Sequence, residues 1–225
     1  MKKALFITSA VILILVVASC ASLEKPLLLK SVTVDATLTD WGEYLYTDGA
    51  SDSKWENNEI YQAGILFDAT NLYIAGIFTK DGYNNFMVMV DLSGVAGASD
   101  TNKHPWERSY KFEEGDVDFV LETWGDDYTA WIFTTSEASE VKGTFAKATK
   151  DGKNVVEFAI PLSKLGVTDA SKLSVKAVFV ITGGTDDQGK QWAGDFYPDQ
   201  GFETEDGGYT APIVIKKVVT IPTQE

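Results

Sequence analysis

From residue 60 onward, apolar residues recur with a period of two, in short runs broken by turn-forming residues. Ile60 to Phe67 ends at Asp68-Ala69-Thr70-Asn71, and Leu72 to Phe78 follows. Two β-rich runs around a short polar turn predict a hairpin. Phe86 to Leu92 forms a third run. Val117 to Glu122 pairs with Thr129 to Thr134 across Gly125-Asp126-Asp127. Phe145 to Thr149 and Val155 to Ile160 flank Lys150-Asp151-Gly152-Lys153, and Asp-Gly is a strong turn signal. Pro161 to Gly166 predicts one helical turn, opened by proline and closed by glycine. Leu173 to Ile181 is a long strand and Ile213 to Ile221 the last. No segment keeps a helical period over three turns. About ten short strands with regular turns indicate an all-β, antiparallel β-sandwich. Its expected core includes Ile65, Phe67, Leu72, Ile74, Val88, Val90, Phe119, Ile132, Phe158 and Phe179.

The N-terminus has a different pattern. Lys2 and Lys3 precede an apolar run from Ala4 to Val17, and the small residues Ala18 and Ser19 lead to Cys20. This is the layout of a secretory signal peptide, and the run is short for a membrane span. Val17-Ala18-Ser19-Cys20 resembles the bacterial lipobox, which implies cleavage before Cys20 and acyl chains on the mature cysteine. Two or more chains hold a protein stably at a membrane. Cys20 is the chain's single cysteine, so it has no internal disulfide partner. The competing reading is an uncleaved anchor with an incidental cysteine. The expected organisation is a lipoprotein signal peptide at 1–19, a lipidated tether at 20–31 and one β-sandwich binding domain at 32–225. Ala21 and Ser22 place no aspartate after the cysteine, which favours the outer membrane if the bacterium has two.

Nineteen basic and 33 acidic residues give a formal net charge of −14. A chain of this sign is repelled by phosphate backbones, so nucleic acid is not an expected partner. The carboxylates suit hard cations such as calcium. There is no Gly-x-Ser-x-Gly elbow, no His-Glu-x-x-His and no phosphate-cradling glycine loop, and His104 is the only histidine. The chain is therefore expected not to be an enzyme.

Five segments carry a resemblance in the right order. Val34-Asp35-Ala36-Thr37-Leu38-Thr39-Asp40-Trp41 is similar to the "V-D-G-x-L-x-x-W" opening of family 9 carbohydrate-binding modules and their DOMON-like relatives. Phe67 to Ile74 resembles their "x-D-x-x-N-L-Y" hairpin, and Met89-Val90-Asp91 their strand ending in aspartate. Val156 to Gly166 resembles "E-hydrophobic-x-I-P-x-x-x-L-G". Gly194-Asp195-Phe196-Tyr197-Pro198 resembles an "A-x-D-x-x-P" loop of sugar-binding domains in starch- and glucan-degrading enzymes, of the glucodextranase C-terminal type. The resemblance implies a β-sandwich of immunoglobulin-like or jelly-roll form, a carbohydrate ligand and structural calcium.

Candidate residues follow from their contexts. Trp41 and Trp131 are expected in the core. Trp55, Trp106, Trp124 and Trp192 sit in polar, turn-like segments, and Tyr197 lies in the loop motif. Aromatic rings at a sandwich rim form flat platforms on which the C–H face of a sugar stacks. The alternative is that these rings fold back as lids on the core. Asp186, Asp187, Asp195 and Asp199 are candidate calcium ligands; the alternative is a solvated acidic loop. Some DOMON-like domains bind haem, and Met87, Met89 and His104 are the residues that could ligate it. The expected function is a membrane-anchored, non-catalytic carbohydrate-binding lipoprotein, serving a transporter or a separate glycan-degrading enzyme. The alternatives are a haem electron carrier and a structural envelope protein.

Overall fold

The computed structural model describes residues 30–49, 51–106 and 108–223. Cys20, the 1–19 leader and nearly all of the 20–31 tether lie outside the described residues. Within them the chain forms β1 (Leu45–Thr47), β2 (Glu59–Phe67), β3 (Asn71–Thr79), β4 (Asn85–Leu92), β5 (Tyr110–Phe112), β6 (Phe119–Thr123), β7 (Tyr128–Phe133), β8 (Ala138–Glu140), β9 (Thr144–Lys150), β10 (Lys153–Pro161), β11 (Val175–Thr185), β12 (Gln191–Tyr197), β13 (Gly208–Tyr209), β14 (Ile213–Ile215) and β15 (Val219–Ile221). Helix is confined to short 3-10 turns.

Two antiparallel sheets face each other. The first runs β1-β2-β3-β10-β9; the second runs β13-β12-β11-β4-β6-β7-β8, with β15 also on β11. A small parallel pair, β5 with β14, stands apart. The expected hairpins are present in register. In the β2–β3 turn, Asp68 Oδ1 accepts the Thr70 and Asn71 amides at 2.7 Å each, and Oδ2 accepts the Tyr73 hydroxyl at 2.7 Å. In the β9–β10 turn, Asp151 and Gly152 both take positive φ, 52° and 77°, as a two-residue type I′ connection requires.

Alternation fills three apolar layers. Ile65, Phe67, Leu72, Ile74, Val88, Val90, Phe119, Phe158 and Phe179 meet between the sheets, with Ile132 half-buried at the margin. Met87, Met89, Val120, Phe133 and Phe196 face outward from the second sheet. They are covered by the 98–117 excursion and the C-terminal segment, through Ala98, Tyr110, Phe112, Val117, Tyr209 and Ile213. On the outer face of the first sheet, Val32 and Trp41 cover Leu66, Tyr73, Ala75 and Ala159. There the fully buried Trp41 donates its indole N–H to Glu157 Oε1 at 2.6 Å. Glu157 Oε2 accepts the Asp35 amide at 2.9 Å and also that of Ala36. The opening motif and the Glu157 strand motif are thus two halves of one contact.

Two expectations change. The stretch 213–221 is two strands: β14 pairs with β5 and β15 with β11. Gln200 Oε1 accepts the Lys216 and Lys217 amides and turns the chain between them. Trp131 is half-buried and lies against the outward-facing layer, outside the inter-sheet core. Period two establishes that Trp131 and Phe133 share a face; it does not say how completely that face is covered.

Candidate functional site

The outer layer of the second sheet has a charged centre. Glu122, on β6, is fully buried. Its carboxylate meets His104 Nε2 at 2.9 Å and Arg108 Nε at 2.5 Å, and accepts from Asn85 Nδ2 at 3.1 Å. Burial alone would raise the Glu122 pKa, but the His104 hydrogen bond and the Arg108 charge hold it below its ordinary value. Arg108 also donates to Thr182 Oγ1 at 3.0 Å. The Thr101 hydroxyl donates to Arg108 O at 2.7 Å and accepts the Tyr110 amide at 2.9 Å. The loop from Thr101 to Tyr110 is therefore fastened at both ends and in the middle. Such a buried network is costly to leave incomplete, so it fixes the loop in one position.

That loop carries Trp106 at its outer edge, 43 % exposed. Its ring is held edge-on by Trp124, with centroids 5.6 Å apart and planes at 89°, and by Trp131 at 6.4 Å and 85°. The His104 ring lies 5.1 Å away, and His104 Nδ1 accepts the Trp106 amide at 3.3 Å. A cleft of about 470 Å³ opens beside it, lined by Pro105, Trp106, Thr185, Asp186, Asp187 and Gly189. One wall is aromatic, and the other is the tip of the β11–β12 hairpin. Asp186 is fastened by the Lys190 and Gln188 amides, each at 2.9 Å, and by the Trp192 indole at 3.3 Å. These donors, the Lys190 amide foremost, hold its pKa below the ordinary value. Asp187 is exposed at the mouth.

The six tryptophans therefore separate. Trp106 and Trp124 come together, and Trp131, expected in the core, joins them. Trp55 lies elsewhere, half-buried against glycine backbone: a Cβ on Gly194 would come within 2.4 Å of its ring, and its N–H donates to Asp206 O at 2.9 Å. Trp192 reaches the cleft only through its bond to Asp186, with Lys190 Nζ over its ring at 4.0 Å. Tyr197 is half-buried and stacked on Tyr46, 5.9 Å away. A larger concavity of about 510 Å³ lies over the first sheet, but no aromatic side chain lines it. The neighbouring one, about 380 Å³, includes Tyr61, whose face is taken by Lys153 Nζ at 3.3 Å.

The haem ligand set does not fit. Met87 and Met89 are fully buried in the outer layer, and both His104 ring nitrogens are engaged, one by Glu122 and one by the Trp106 amide.

The acidic residues regroup. Asp186 and Asp187 line the cleft, whereas Asp195 and Asp199 lie in another cluster. In that cluster the carboxylates of Asp48, Glu59 and Asp195 have oxygens within 4.8 Å of one another, as do those of Asp48, Asp52 and Asp199. Burial, reinforced by the nearby charges of Glu59, Asp48 and Asp52, pushes Asp195 up to about 8. The calcium implied by the resemblance fits this donor set. The oxygens are hard, and Glu59 Oε1 is buried with no hydrogen-bond partner. Asp48, Asp52 and Glu59 could not be picked out beforehand, because chain spacing does not report which carboxylates two facing sheets bring together.

No family model matches the chain, and no curated protein does. Among solved structures it is similar to a family 9 carbohydrate-binding module from Caldicellulosiruptor kristjanssonii in complex with cellotriose. That match has a TM-score of 0.35 at 12% identity and covers 73% of this chain and 78% of that one. It is also similar to a family 9 module of the same organism in complex with glucose, with a TM-score of 0.35 at 14% identity, covering 73% and 80%.

Proposed function

We propose that this protein is a non-catalytic module that binds a neutral glycan chain in the Trp106 cleft while held at the cell envelope by lipid on Cys20. The observation that carries the reading is the built platform. An exposed indole is braced by two more indoles and a buried ion-pair network, and opens onto a cleft whose far wall offers carboxylate acceptors. A pyranose stacks its C–H face on Trp106 and donates its hydroxyls to Asp187. The fixed loop lowers the ordering cost of binding. Asp186 and Asp187 stand on the same wall, whereas glycoside hydrolysis needs two carboxylates flanking the bond. The sequence motifs of family 9 modules support the same ligand class.

Calorimetric titration of the purified protein against gluco-, xylo- and malto-oligosaccharides tests the binding half. Saturable binding of at least one neutral series is expected; a folded protein that binds none refutes it. For the anchor, Cys20→Ala is expected to abolish lipid labelling and stable membrane association while leaving ligand affinity unchanged. A variant that stays in the membrane fraction unprocessed contradicts it.

A further inference from the structure

Resting on the glycan reading of the Trp106 cleft, we infer that this cleft is one end of a longer groove, and that the ligand is a linear neutral oligosaccharide longer than a disaccharide. A second cleft, of about 270 Å³, lies on the other side of the β11–β12 hairpin tip. Gln188, Lys190, Glu203, Thr204 and Thr210 contribute to its walls. Gly189 lines both clefts, so the two concavities meet at the crest of the hairpin. Paired strands stand about 4.8 Å apart, close to the length of one pyranose. A chain stacked on Trp106 therefore crosses the crest and enters the second cleft within the next few sugar units.

The crest is a passage and not a barrier. Gly189 is exposed with a φ of 79°, and nothing stands within 4 Å of the place a Cβ would take. The turn needs a residue at ease in the left-handed region, and glycine supplies it without raising a side chain across the path. The crest is also fixed. The Gly189 amide donates to Asp186 O at 2.9 Å. Beside it the Lys190 stem lies against Gly208, where a Cβ would come within 1.9 Å of it, and Lys190 Nζ is 3.8 Å from Asp206 on the far wall. That wall is built as firmly. Glu203 Oε2 accepts the Thr210 amide at 2.8 Å, which leaves Oε1 as an acceptor, and the Thr204 hydroxyl accepts the Gly208 amide at 2.7 Å.

The second cleft differs in kind from the Trp106 end. Amide, carboxylate and hydroxyl groups line it, and its ring, Tyr209, is buried. Such groups bind sugar hydroxyls and not the apolar face of a ring, so this cleft extends a chain already anchored by stacking and is no second platform. Asp187 in one cleft and Glu203 in the other repel a uronate or sulfated chain at both ends of the path.

The test is calorimetric titration of the full chain, purified in detergent, with gluco-, xylo- and malto-oligosaccharides from disaccharide to hexasaccharide. In the series that binds, affinity is expected to rise roughly tenfold or more between these lengths, beyond the few-fold gain of offering more equivalent positions. A uronic-acid oligomer of matching length should bind more weakly. The double variant Gln188→Ala with Glu203→Ala removes two exposed side chains of the second cleft, so folding is not at stake. It is expected to bring the ratio of hexasaccharide to disaccharide affinity down to within about threefold of one, whereas Trp106→Ala lowers affinity at every length. A wild-type ratio near one overturns the inference while leaving the Trp106 platform standing. A steep ratio that survives the double variant overturns it too, because the chain then runs elsewhere. Absence of binding by every series overturns the inference and the glycan reading together.

Discussion

Ala36 takes a φ of 61°, and its amide and that of the preceding Asp35 both donate to Glu157 Oε2. The left-handed region is strained for any residue with a Cβ, and the resembled motif has glycine at this position. Ala36→Gly is therefore expected to raise stability by roughly 0.5 kcal/mol or more in denaturant unfolding, after the added freedom of the unfolded chain is subtracted. Asp68 gives a pH-dependent counterpart. Burial opposes its charge, but hydrogen bonds from Tyr73, Thr70, Asn71 and Ser31 hold its pKa down to about 2, from an ordinary 3.8. A depressed carboxylate stabilises the fold above its unfolded pKa and stops doing so as pH falls through the folded one. Asp68→Asn should thus cost roughly 2 kcal/mol at pH 7, with the difference from wild type vanishing between about pH 4 and pH 2. A cost that does not change with pH would refute the charge-based account. Both positions were visible as motif residues. Their role in joining distant segments was not, because it depends on Glu157 and Ser31 arriving from elsewhere in the chain.

At the scale of elements, the β2–β3 hairpin shows what pattern can and cannot say. Alternation and the Asp68–Asn71 turn place both strands. The paired dipeptides Ala63-Gly64 and Ala75-Gly76, opposite each other in register, look unremarkable in sequence. In the fold each glycine makes room on a different face. A Cβ on Gly64 would come within 2.8 Å of the Trp41 ring, and one on Gly76 within 2.7 Å of Phe86. Phe86 is itself stacked between Phe78, at 4.7 Å, and Phe179, at 5.9 Å. Gly76→Ala is expected to lower stability by about 1–3 kcal/mol, because a ring held on both sides cannot move aside. A neutral result in thermal unfolding would show that this stack yields. The 98–117 excursion was the least legible element. It makes few period-two contacts of its own, and it is ordered by Glu122, Thr182 and Gln191 on the sheet beneath. For that reason the sequence leaves Trp106 as one of four candidate loop tryptophans and does not place Trp131 beside it.

At the scale of the molecule, the two sheets provide rigidity, the excursion carries the Trp106 platform, and the lipid proposed on Cys20 would supply the address. The proposed function needs the platform most. The direct measurement is the affinity of the best-bound neutral oligosaccharide for wild-type protein and for Trp106→Ala, with folding of the variant confirmed by circular dichroism. Trp106 is partly exposed at the tip of its loop, so its removal should spare the core while deleting the stacking surface. A stacked sugar ring contributes on the order of 1–3 kcal/mol by analogy with other ring stacking on aromatic side chains, so the expected loss is roughly tenfold or more. Affinity unchanged in a folded Trp106→Ala would contradict the account and move the ligand away from this cleft.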